Sequence, residues 1–332
     1  MKNLLIAFVA MALLAEAALA AELTGAGATF PFPIYSRWAF DYEKATGVKL
    51  NYQSIGSGGG IQQIKNRTVN FGASDKPLEP GELQKINLLQ FPTVIGGVII
   101  SYHIPEVGDK ELKLDQKAVC DIYMGKITDW NDPYIKQLNP EANLPPTKII
   151  VVHRSDGSGT TFIFTNWLSK VCPEWKEKVG AGTSVNWPAG IGGKGNEGVA
   201  AYAKQSTGAI GYVEYAYAKQ NKMHVASLKN KDGEFVKPSI ESFKAAASNG
   251  NWDSKNDFYE ILTDEPGKDS YPIAGATFIL LAKDQPDKSK EAVKFFAWAY
   301  DHGDQDAIAL DYIPFPDTVT NKIKQYWKDN GL

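Results

Sequence analysis

The feature that most constrains the fold of this chain is a repeated order of strand, polar glycine-containing loop and helix. In the clearest copy, the β-branched run 148–152 (KIIVV) precedes the loop 153–162 (HRSDGSGTTF), and apolar residues then recur at helical spacing through Val171. Short apolar runs of this kind predict buried strands, and spacings of three and four residues predict an amphipathic helix. The repeated pattern therefore predicts an α/β fold.

Three further segments contribute polar loops of the same form. A Gly-Ala-Gly-Ala turn leads through Thr29 and Phe30 towards a predicted helix, and Ser57 lies in a glycine loop between a strand and a helix. Asp75 stands at the end of an alternating strand. Strand ends and helix starts lie together on one side of an α/β sheet, so the four segments together predict a shared cleft for a small ligand.

The loop 153–162 has the composition of an anion-binding site. Arg154 can hold two oxygens of a tetrahedral anion with its planar guanidinium, and a charge-assisted hydrogen bond of this type contributes about 1.5–3 kcal/mol. The first amides of the helix that follows have no intrahelical partner and carry partial positive charge. Arg154 could equally pair with Asp156, and the two interpretations are compatible because the carboxylate would orient the guanidinium.

Two aspartates restrict which anions the predicted site can bind, because Asp75 and Asp156 should repel a dianion that carries no proton. Phosphate retains at least one O–H near neutral pH, and this group can donate to a carboxylate, which only accepts. Sulfate carries no such proton. An ionised aspartate would therefore place its own acceptor oxygen against an acceptor oxygen of sulfate, with no hydrogen between them. Arginine, amides, hydroxyls and aspartates together predict a site for a protonated oxyanion.

The amino terminus predicts export from the cytoplasm. Lys2 precedes an apolar run at residues 4–14, and the small residues Ala18 and Ala20 fit the cleavage rule of a secretory signal peptide. The apolar run is too short to span a bilayer as a permanent helix. We therefore expect residues 1–20 to be a signal peptide that is cleaved near Ala20.

Charge and length limit the class of protein. The 332 residues carry a formal net charge of −3, and the single lysine and single glutamate of the signal segment cancel, so the mature chain keeps this charge. A mildly acidic chain without a run of Lys or Arg lacks the electrostatic footprint of a nucleic-acid binder. About 310 mature residues are enough for two domains of ordinary size.

No constellation of residues predicts an enzyme or a bound cofactor. The four histidines are scattered, and no spacing typical of a metal site occurs. Asp156 stands where the nucleophile elbow G-x-S-x-G around Ser158 would need a glycine, and His153 is more simply a structural or surface residue than its base. The loop 190–198 is no P-loop, because a glycine follows its Lys194 where Ser or Thr is required.

The chain contains two cysteines, Cys120 and Cys172, in two predicted helical stretches. They could form a disulfide in an oxidising compartment, or they could be two buried thiols that pack as small apolar residues. The spacing leaves both alternatives open.

Six ordered motifs closely resemble the periplasmic phosphate-binding proteins of bacterial ABC phosphate transporters, and the likeness runs nearly from Leu23 to the carboxyl terminus. The motifs are TGAGATFP (24–31), GSGGG (56–60), FGASD (71–75), DGSGTTF (156–162), GGKGNEG (192–198) and GAIGYVEYAYAKQN (208–221). A set of motifs in order is far more specific than one glycine loop.

The resemblance implies which residues contact phosphate. Carried over motif by motif, the contacts fall on Thr29, Phe30, Ser57, Asp75, Arg154, Asp156, Ser158, Gly159 and Thr160. His153 stands where relatives can have a second arginine, and Gly58 stands where a second serine can follow. Neither difference removes a contact.

The resemblance also implies an α/β, two-lobed periplasmic-binding fold of type II with two hinge crossovers. Residues 21–96 and 273–332 would form lobe I, and residues 97–272 would form lobe II. The apolar strand 92–102, with two internal glycines suited to a hinge, would carry the chain from lobe I into lobe II, and the strand 271–282 would return it.

The implied function is that of a monomeric, non-catalytic receptor in the periplasm. It would capture hydrogen phosphate or dihydrogen phosphate between the lobes and deliver it to the membrane subunits of an ABC permease with their ATPase, without a metal, cofactor or nucleic acid. One alternative is an extracytoplasmic phosphatase or phosphoryl-transfer enzyme, which would need a nucleophile or a metal. Another is a surface adhesin or phosphate-scavenging module, which would differ only in its partners.

Overall fold

The computed structural model describes residues 22–332, so the predicted signal peptide at residues 1–20 lies outside the described residues. The amino-terminal elements are β1 (Glu22–Gly27), α1 (Phe32–Thr46), β2 (Lys49–Ser54), α2 (Ser57–Lys65), β3 (Phe71–Ser74), α3 (Pro80–Ile86) and β4 (Leu88–Tyr102). These elements alternate between strand and helix, as the repeated sequence pattern predicts.

The central part of the chain contains more short elements than the sequence pattern indicates. They are β5 (Lys113–Leu114), α4 (Gln116–Tyr123), α5 (Pro133–Leu138), β6 (Ile150–Arg154), α6 (Gly159–Val171), α7 (Pro173–Lys178), β7 (Ile191–Gly193), α8 (Gly195–Gln205), β8 (Ala209–Glu214), α9 (Tyr215–Gln220), β9 (His224–Val225), β10 (Ser227–Lys229), β11 (Phe235–Val236) and α10 (Ile240–Ala247). The carboxyl-terminal elements are β12 (Ala274–Ala282), α11 (Pro286–His302), α12 (Asp304–Ala309), β13 (Ile313–Pro314) and α13 (Asp317–Asp329).

A mixed sheet runs through the described part of the chain in the order β2-β1-β3-β12-β4-β8-β6-β7, and β13 and β9 also pair with β4. Strands β1, β2 and β3 are parallel to one another, and β6, β7 and β8 form a second parallel group. In such groups the strands end at the same edge of the sheet, so the loops after β1 and β3 lie near each other, as do those after β6 and β7.

The long strand β4 joins the two parallel groups. Nine of its first ten residues pair with β12, with a bulge at Thr93, and its last five, Val98–Tyr102, pair with β8. All fifteen residues are buried, which explains the nearly continuous apolar sequence of this segment. The partner of β4 therefore changes between Gly97 and Val98.

Gly97 is required at this junction for close packing. A Cβ at this position would lie 2.1 Å from the ring of Phe243, a residue of α10. The glycine pair at 96–97 predicts a flexible hinge, and the structure gives Gly97 a steric role between the sheet and a helix as well. The two roles are compatible because the same lack of a side chain permits both.

The polar stretch 219–268, in which the sequence shows no chemistry, also contributes to the core. It contains β9, β10, β11 and α10, and it buries Phe243 and Phe258 completely. Helix α10 is amphipathic and begins at a capping box in which Ser239 and Ser242 bond reciprocally. The polar composition of this stretch predicts a surface segment, and the structure shows that part of it nevertheless packs into the core.

Cys120 in α4 and Cys172 at the end of α6 form a disulfide across 52 residues of sequence. The sequence leaves open whether the two cysteines form a disulfide or are free buried thiols, and in the structure they form the disulfide. Within residues 22–332, no helix combines the length and the apolar character that crossing a bilayer requires.

Candidate functional site

The structure brings the loops after β1, β3 and β6 together at the starts of α2 and α6. Ser57 forms the central contact, because its Oγ accepts hydrogen bonds from the amides of Asp75 at 3.1 Å and Gly159 at 3.0 Å. Residues from two distant parts of the sequence, 102 positions apart, therefore meet at one hydroxyl group. This is the arrangement that the convergence of the sequence loops predicts.

Gly159 is required by the closeness of this meeting. A Cβ at Gly159 would lie 2.5 Å from Ser57 Oγ and 2.5 Å from Asp75 Oδ2, inside van der Waals contact. Beside it, the amide of Gly58 donates to the carbonyl of Gly157 at 2.8 Å. The glycines of the two loops thus permit backbone-to-backbone contact across the site.

The turn after β1 is held by two tyrosines that sequence reasoning missed. Tyr217 donates its hydroxyl to the carbonyl of Thr29 at 2.6 Å, and Tyr312 donates its hydroxyl to the carbonyl of Phe30 at 2.6 Å. Because these carbonyls are engaged by α9 and by the segment before β13, the peptide planes of the turn are fixed. The orientation of the Thr29 hydroxyl and the nearby amides at the start of α1 is fixed with them.

Ser158 begins helix α6. Its Oγ accepts a hydrogen bond from the amide of Thr161 at 3.0 Å, and its own amide donates to the carbonyl of Thr183 at 2.8 Å. This is an ordinary N-cap, which satisfies one amide of the first helical turn. The amide hydrogen of Ser158 is already used in its hydrogen bond to Thr183. The hydroxyl hydrogen of Ser158 remains available to donate to a ligand.

Arg154 is buried and forms a two-pronged pair with Asp156. Its Nε donates to Asp156 Oδ1 at 2.8 Å and its Nη2 donates to Asp156 Oδ2 at 2.5 Å, while Nη1 lies 3.5 Å from Thr160 Oγ1. The backbone amide of Arg154 donates to the hydroxyl of Tyr212. The guanidinium is therefore oriented on one edge, and its Nη1 edge is directed towards the threonine.

Both oxygens of the Asp156 carboxylate accept hydrogen bonds from Arg154. Oδ1 accepts a further hydrogen bond from the amide of Gly195 at 3.1 Å. Burial alone would raise the pKa of Asp156, but the hydrogen bonds and charge of Arg154, with the Gly195 amide, lower this pKa below its ordinary value. Asp156 is thus an ionised partner that orients the arginine.

Asp75 differs, because one of its oxygens has no partner. Oδ1 accepts from the hydroxyl of Thr277 at 2.7 Å, whereas Oδ2 is buried without a hydrogen bond within the described residues. Burial raises the pKa of Asp75 to about 7, and Thr277, the charge of Arg154 and the Ser57 hydroxyl offset only part of this effect. A buried acceptor without a partner is costly, so Oδ2 is suited to receive a hydrogen from a ligand.

Thr277 and Asn196 complete the site, and sequence reasoning did not name either. Asn196 donates its Nδ2 to Thr29 Oγ1 at 2.7 Å and to Thr160 Oγ1 at 3.1 Å. Thr277 lies in an apolar strand whose pattern indicates only a core strand. A signal for Asn196 was available in the sequence, because the residue lies in the glycine loop 190–198 directly before an apolar helical pattern, and such a helix start can lie near a ligand.

The arrangement can bind an oxyanion through many donors and through the Oδ2 atom of Asp75, a buried carboxylate oxygen without a hydrogen bond within the described residues. Among residues 22–332, no group of three or more His, Cys, Asp or Glu side chains is placed to hold a metal ion. His153 stacks on Trp187 at 4.7 Å, and its Nδ1 bonds the carbonyl of Arg154. The histidine is therefore engaged structurally rather than paired with the capping hydroxyl of Ser158.

Sequence comparisons place the chain among known binding proteins. A family model described as a PBP superfamily domain matches residues 15–302. The chain is 56% identical over 311 residues to the phosphate-binding protein PstS of Pasteurella multocida, which covers 93% of this chain and 90% of the relative. It is 55% identical to the PstS of Haemophilus influenzae over 92% of each chain. The PstS of Methanocaldococcus jannaschii is 41% identical, over 88% of this chain and 82% of the relative.

Solved structures show the same fold at low identity. A high-affinity periplasmic phosphate-binding protein, PfluDING, bound with phosphate, matches with a TM-score of 0.72 at 21% identity over 92% of this chain and 93% of its own. A putative phosphate ABC transporter substrate-binding protein with bound phosphate from Clostridium perfringens matches with a TM-score of 0.66 at 18% identity, over 89% of this chain and 100% of its own. The predicted α/β fold of the type II periplasmic-binding class is confirmed.

Proposed function

The chain belongs to the PstS family of phosphate-binding proteins, and we infer from this membership that it binds inorganic phosphate for an ABC phosphate transporter. It acts outside the cytoplasm as a substrate-binding protein and is not an enzyme. The observation that carries the inference beyond family membership is the free Oδ2 of Asp75, a buried acceptor beside a set of donors.

We propose that phosphate is held by Thr29, Phe30, Ser57, Asp75, Arg154, Asp156, Ser158, Gly159 and Thr160. Support comes from the convergence of these residues on Ser57 and on the guanidinium of Arg154. The hydroxyls of the site and the amides of Phe30 and Thr160 donate to phosphate oxygens, and the guanidinium supplies the positive charge. Gly159 contributes the close approach of the two loops, because its own amide donates to Ser57. Asp156 contributes indirectly, because both of its oxygens are occupied by Arg154.

Asp75 gives the site its preference for a protonated oxyanion. When the carboxylate is ionised, Oδ2 accepts the O–H that phosphate retains near neutral pH, and the buried oxygen gains the partner that it lacks. Sulfate offers only acceptors at this position, so two oxygens with negative charge would face each other without a hydrogen. This mismatch disfavours sulfate by leaving a buried polar group unpaired.

The two lobes are proposed to be residues 21–96 with 273–332, and residues 97–272. The change of partner along β4 at Gly97 and the start of β12 at Ala274 support these boundaries. Hydrogen bonds from Gly159 to Ser57 and from Asn196 to Thr29 would then cross the cleft, so closing the lobes assembles the site. Closure also removes water, which strengthens the electrostatic contacts inside.

The partners and the export route are further proposals that rest on family membership. A monomer of this protein would present its closed form to the membrane subunits of an ABC permease and their ATPase. Residues 1–20 would act as the signal peptide, cleaved near Ala20. Amino-terminal sequencing of the protein recovered from the periplasm tests the cleavage, and a terminus far from residue 21 would contradict it.

Calorimetric titration with phosphate and arsenate tests the binding function. We expect both anions to bind at a ratio of one per chain, because arsenate also carries a proton near neutral pH. A phosphate monoester incubated with the protein should remain unhydrolysed, with or without added divalent metal. Failure to bind phosphate would contradict the proposal, and steady turnover of the ester that is lost in Ser158→Ala would favour the enzymatic alternative.

A further inference from the structure

Glu214 is a completely buried carboxyl group at the point where β4 changes its partner strand. It ends β8, pairs with Val98 of β4, and its Oε2 accepts the amide of Ala216 at 2.9 Å at the start of α9. None of the ion pairs among residues 22–332 includes Glu214. An ionised carboxylate here would be buried without a paired cation, which is strongly unfavourable.

The second oxygen of this carboxyl group lies among apolar atoms. Oε1 has no hydrogen bond within the described residues. A Cβ at Gly96 would lie 3.0 Å from the ring of Phe30 and 3.2 Å from Oε1, so the missing side chain of Gly96 leaves the space that the carboxyl group occupies. An uncharged carbonyl oxygen costs much less in such surroundings than a charged carboxylate oxygen.

The hydroxyl hydrogen of Tyr312 is committed to the turn after β1. The Tyr312 oxygen lies 2.6 Å from the carbonyl oxygen of Phe30 and 3.0 Å from Oε2 of Glu214. A backbone carbonyl only accepts, and two acceptors do not approach to 2.6 Å without a hydrogen between them. The single hydrogen of the phenol therefore points to Phe30, and the contact with Glu214 needs a hydrogen from Glu214.

Oε2 of Glu214 therefore accepts from one neighbour and donates to the other. The Ala216 amide can only donate to it, whereas the Tyr312 oxygen can only accept from it. A hydroxyl oxygen can do both at one atom, but a carboxylate oxygen cannot donate and the NH₂ group of an amide cannot accept.

Building on the proposed function, we propose that Glu214 is a neutral, protonated carboxyl group and a positioning residue of the phosphate site. By donating to Tyr312, it directs the Tyr312 hydrogen onto the Phe30 carbonyl and fixes the peptide after Phe30. Tyr217 fixes the preceding peptide through the carbonyl of Thr29, and this peptide carries the Phe30 amide that faces the anion. In the proposed lobes, the contact between Glu214 and Tyr312 crosses from lobe II to lobe I.

The ionisable groups around Glu214, Tyr217 and Tyr312 favour the neutral form of Glu214. They are Asp75 after β3, Arg154 at the end of β6, Glu197 in α8, Tyr215 and Lys219 in α9, and Asp311 before β13. The cations among them are Arg154, which is paired with Asp156, and Lys219, which is exposed. Burial raises the pKa of Glu214 well above its ordinary value, the Ala216 amide and the Tyr312 hydroxyl offset part of this effect, and the negative charges of Asp311 and Asp75 raise the pKa further.

The first test is an infrared difference spectrum between the unmodified protein and Glu214→Gln, recorded without phosphate at pH 7.5. The carbonyl stretch of a protonated carboxyl group absorbs at a higher frequency than the bands of a carboxylate. We expect the spectrum to contain the protonated band of one group per chain. Glu106→Gln is the control, because Glu106 is exposed, and its difference spectrum should contain carboxylate bands instead. Carboxylate bands alone in the Glu214→Gln spectrum would overturn the proposal.

A double-mutant cycle tests the positioning role through phosphate affinity. Tyr312→Phe should weaken binding by about threefold to thirtyfold in calorimetric titration, because the Phe30 carbonyl loses its donor. Glu214→Gln should weaken it by a similar factor, since no single atom of the amide serves both Ala216 and Tyr312. Glu214→Gln in the Tyr312→Phe background should add less than about twofold. An unchanged affinity in Glu214→Gln, or losses that add in full, would contradict the role.

Tyr217→Phe is the matched background for this cycle. Tyr217 donates to the neighbouring carbonyl of Thr29, so its variant disturbs the same turn and leaves the contact between Glu214 and Tyr312 in place. Glu214→Gln should keep its full effect on phosphate affinity in this background. If the effect disappears there as well, Glu214 does not act through Tyr312.

Isotope labelling keeps the proposal testable if Glu214→Gln does not fold. In the unmodified protein at pH 7.5, a protonated-carboxyl band should shift when the glutamates carry ¹³C in their carboxyl groups, and absence of such a shift would overturn the proposal. The infrared measurement does not involve phosphate. Failure of the unmodified protein to bind phosphate would therefore contradict the proposed function, whereas binding without the protonated band would contradict only the role of Glu214.

Discussion

Asp75 and Asp156 are two acidic residues of one site that have opposite surroundings. Asp156 accepts from Arg154 through both oxygens and from the amide of Gly195, and its pKa is lowered. Asp75 accepts from Thr277 through one oxygen, its other oxygen has no hydrogen bond to any residue in 22–332, and burial raises its pKa to about 7. Two residues of the same type can therefore have different roles in one site. The role of each depends on which of its oxygen atoms its neighbours leave without a hydrogen bond.

The sequence treats these two aspartates alike, and the structure separates them. As a pair they predict a protonated oxyanion, because either carboxylate could accept a ligand hydrogen. Both oxygens of Asp156 are bonded to the guanidinium of Arg154, so we expect Asp75 to distinguish phosphate from sulfate. In the proposed site, affinity depends on Asp156 through the arginine that it orients, and specificity depends on Asp75 through its proposed contact with the anion.

Removing Arg154 should have the largest effect on binding. Arg154→Ala takes away the cation and leaves Asp156 as a half-buried carboxylate without its main partner, a type of change that costs about 3–5 kcal/mol. We therefore expect phosphate affinity to fall by about a thousandfold or more in calorimetric titration. A loss below about tenfold would contradict the central place given to the arginine.

The control is Arg67→Ala. Arg67 pairs with Asp284 at 2.8 Å near the surface, where half of the aspartate side chain is exposed. Such pairs contribute about 0–1 kcal/mol to stability, and this one does not belong to the proposed site. Its loss should leave phosphate affinity unchanged, and the melting temperature of both variants should show that each is folded.

The two aspartates should also shift stability in opposite directions with pH. The folded-state pKa of Asp75 lies above its unfolded value of 3.8, so its contribution is fully present below that value and is lost as pH rises through about 7. A shift of this size corresponds to as much as ~4 kcal/mol. In phosphate-free urea titrations, Asp75→Asn should therefore gain stability relative to the unmodified protein between pH 4 and pH 8.

Asp156→Asn provides the contrast. The pKa of Asp156 is lowered in the folded protein, so its contribution is present above the unfolded pKa and is lost as pH falls through the folded pKa. Asp156→Asn should change how the free energy of unfolding depends on pH at acidic pH. Near neutral pH, this dependence should be the same as in the unmodified protein. Equal pH profiles for the two variants would remove the distinction between the carboxylates.

The smallest effect on binding is expected from the disulfide. Cys172 lies at the opposite end of α6 from Gly159, about 20 Å away along a helix of 13 residues. Cys120→Ser/Cys172→Ser should lower the free energy of unfolding by about 2–4 kcal/mol, because the crosslink no longer restricts the unfolded chain. Phosphate affinity should change by less than about twofold, so a large loss would show that specificity is not local to the site.

Much of the site could be predicted from the sequence because it is encoded by local patterns. Thr29, Ser57, Asp75 and the loop at 153–162 each follow a short strand, and parallel strands end at a common edge. The pairing of Arg154 with Asp156 was also foreseeable, since a single residue separates them in one loop. The resemblance supplied the identity of the ligand, which local patterns limit only to a protonated oxyanion.

The remaining features depend on contacts that no local pattern contains. Thr277 meets Asp75 across 202 residues of sequence, and Asn196 meets Thr29 across 167. Thr277 sits in an apolar strand whose pattern indicates only a core strand. Asn196 sits beside a glycine loop whose pattern indicates a helix start but not the distant partner of the amide. Which carboxylate oxygen stays free follows from these distant partners, so the difference between the aspartates required the structure.

The most direct test of the role given to Asp75 is the ratio of phosphate to sulfate affinity in three proteins, measured by calorimetry in one buffer at neutral pH. The unmodified protein should bind phosphate and show no measurable heat with sulfate. Asp75→Asn should gain sulfate binding, because its amide can donate where the carboxylate only accepts. Asp156→Asn should change the affinities for phosphate and sulfate by the same factor, so that the ratio of the two affinities stays the same. Equal affinities for phosphate and sulfate in the unmodified protein, or a ratio that changes in Asp156→Asn but not in Asp75→Asn, would contradict the assignment.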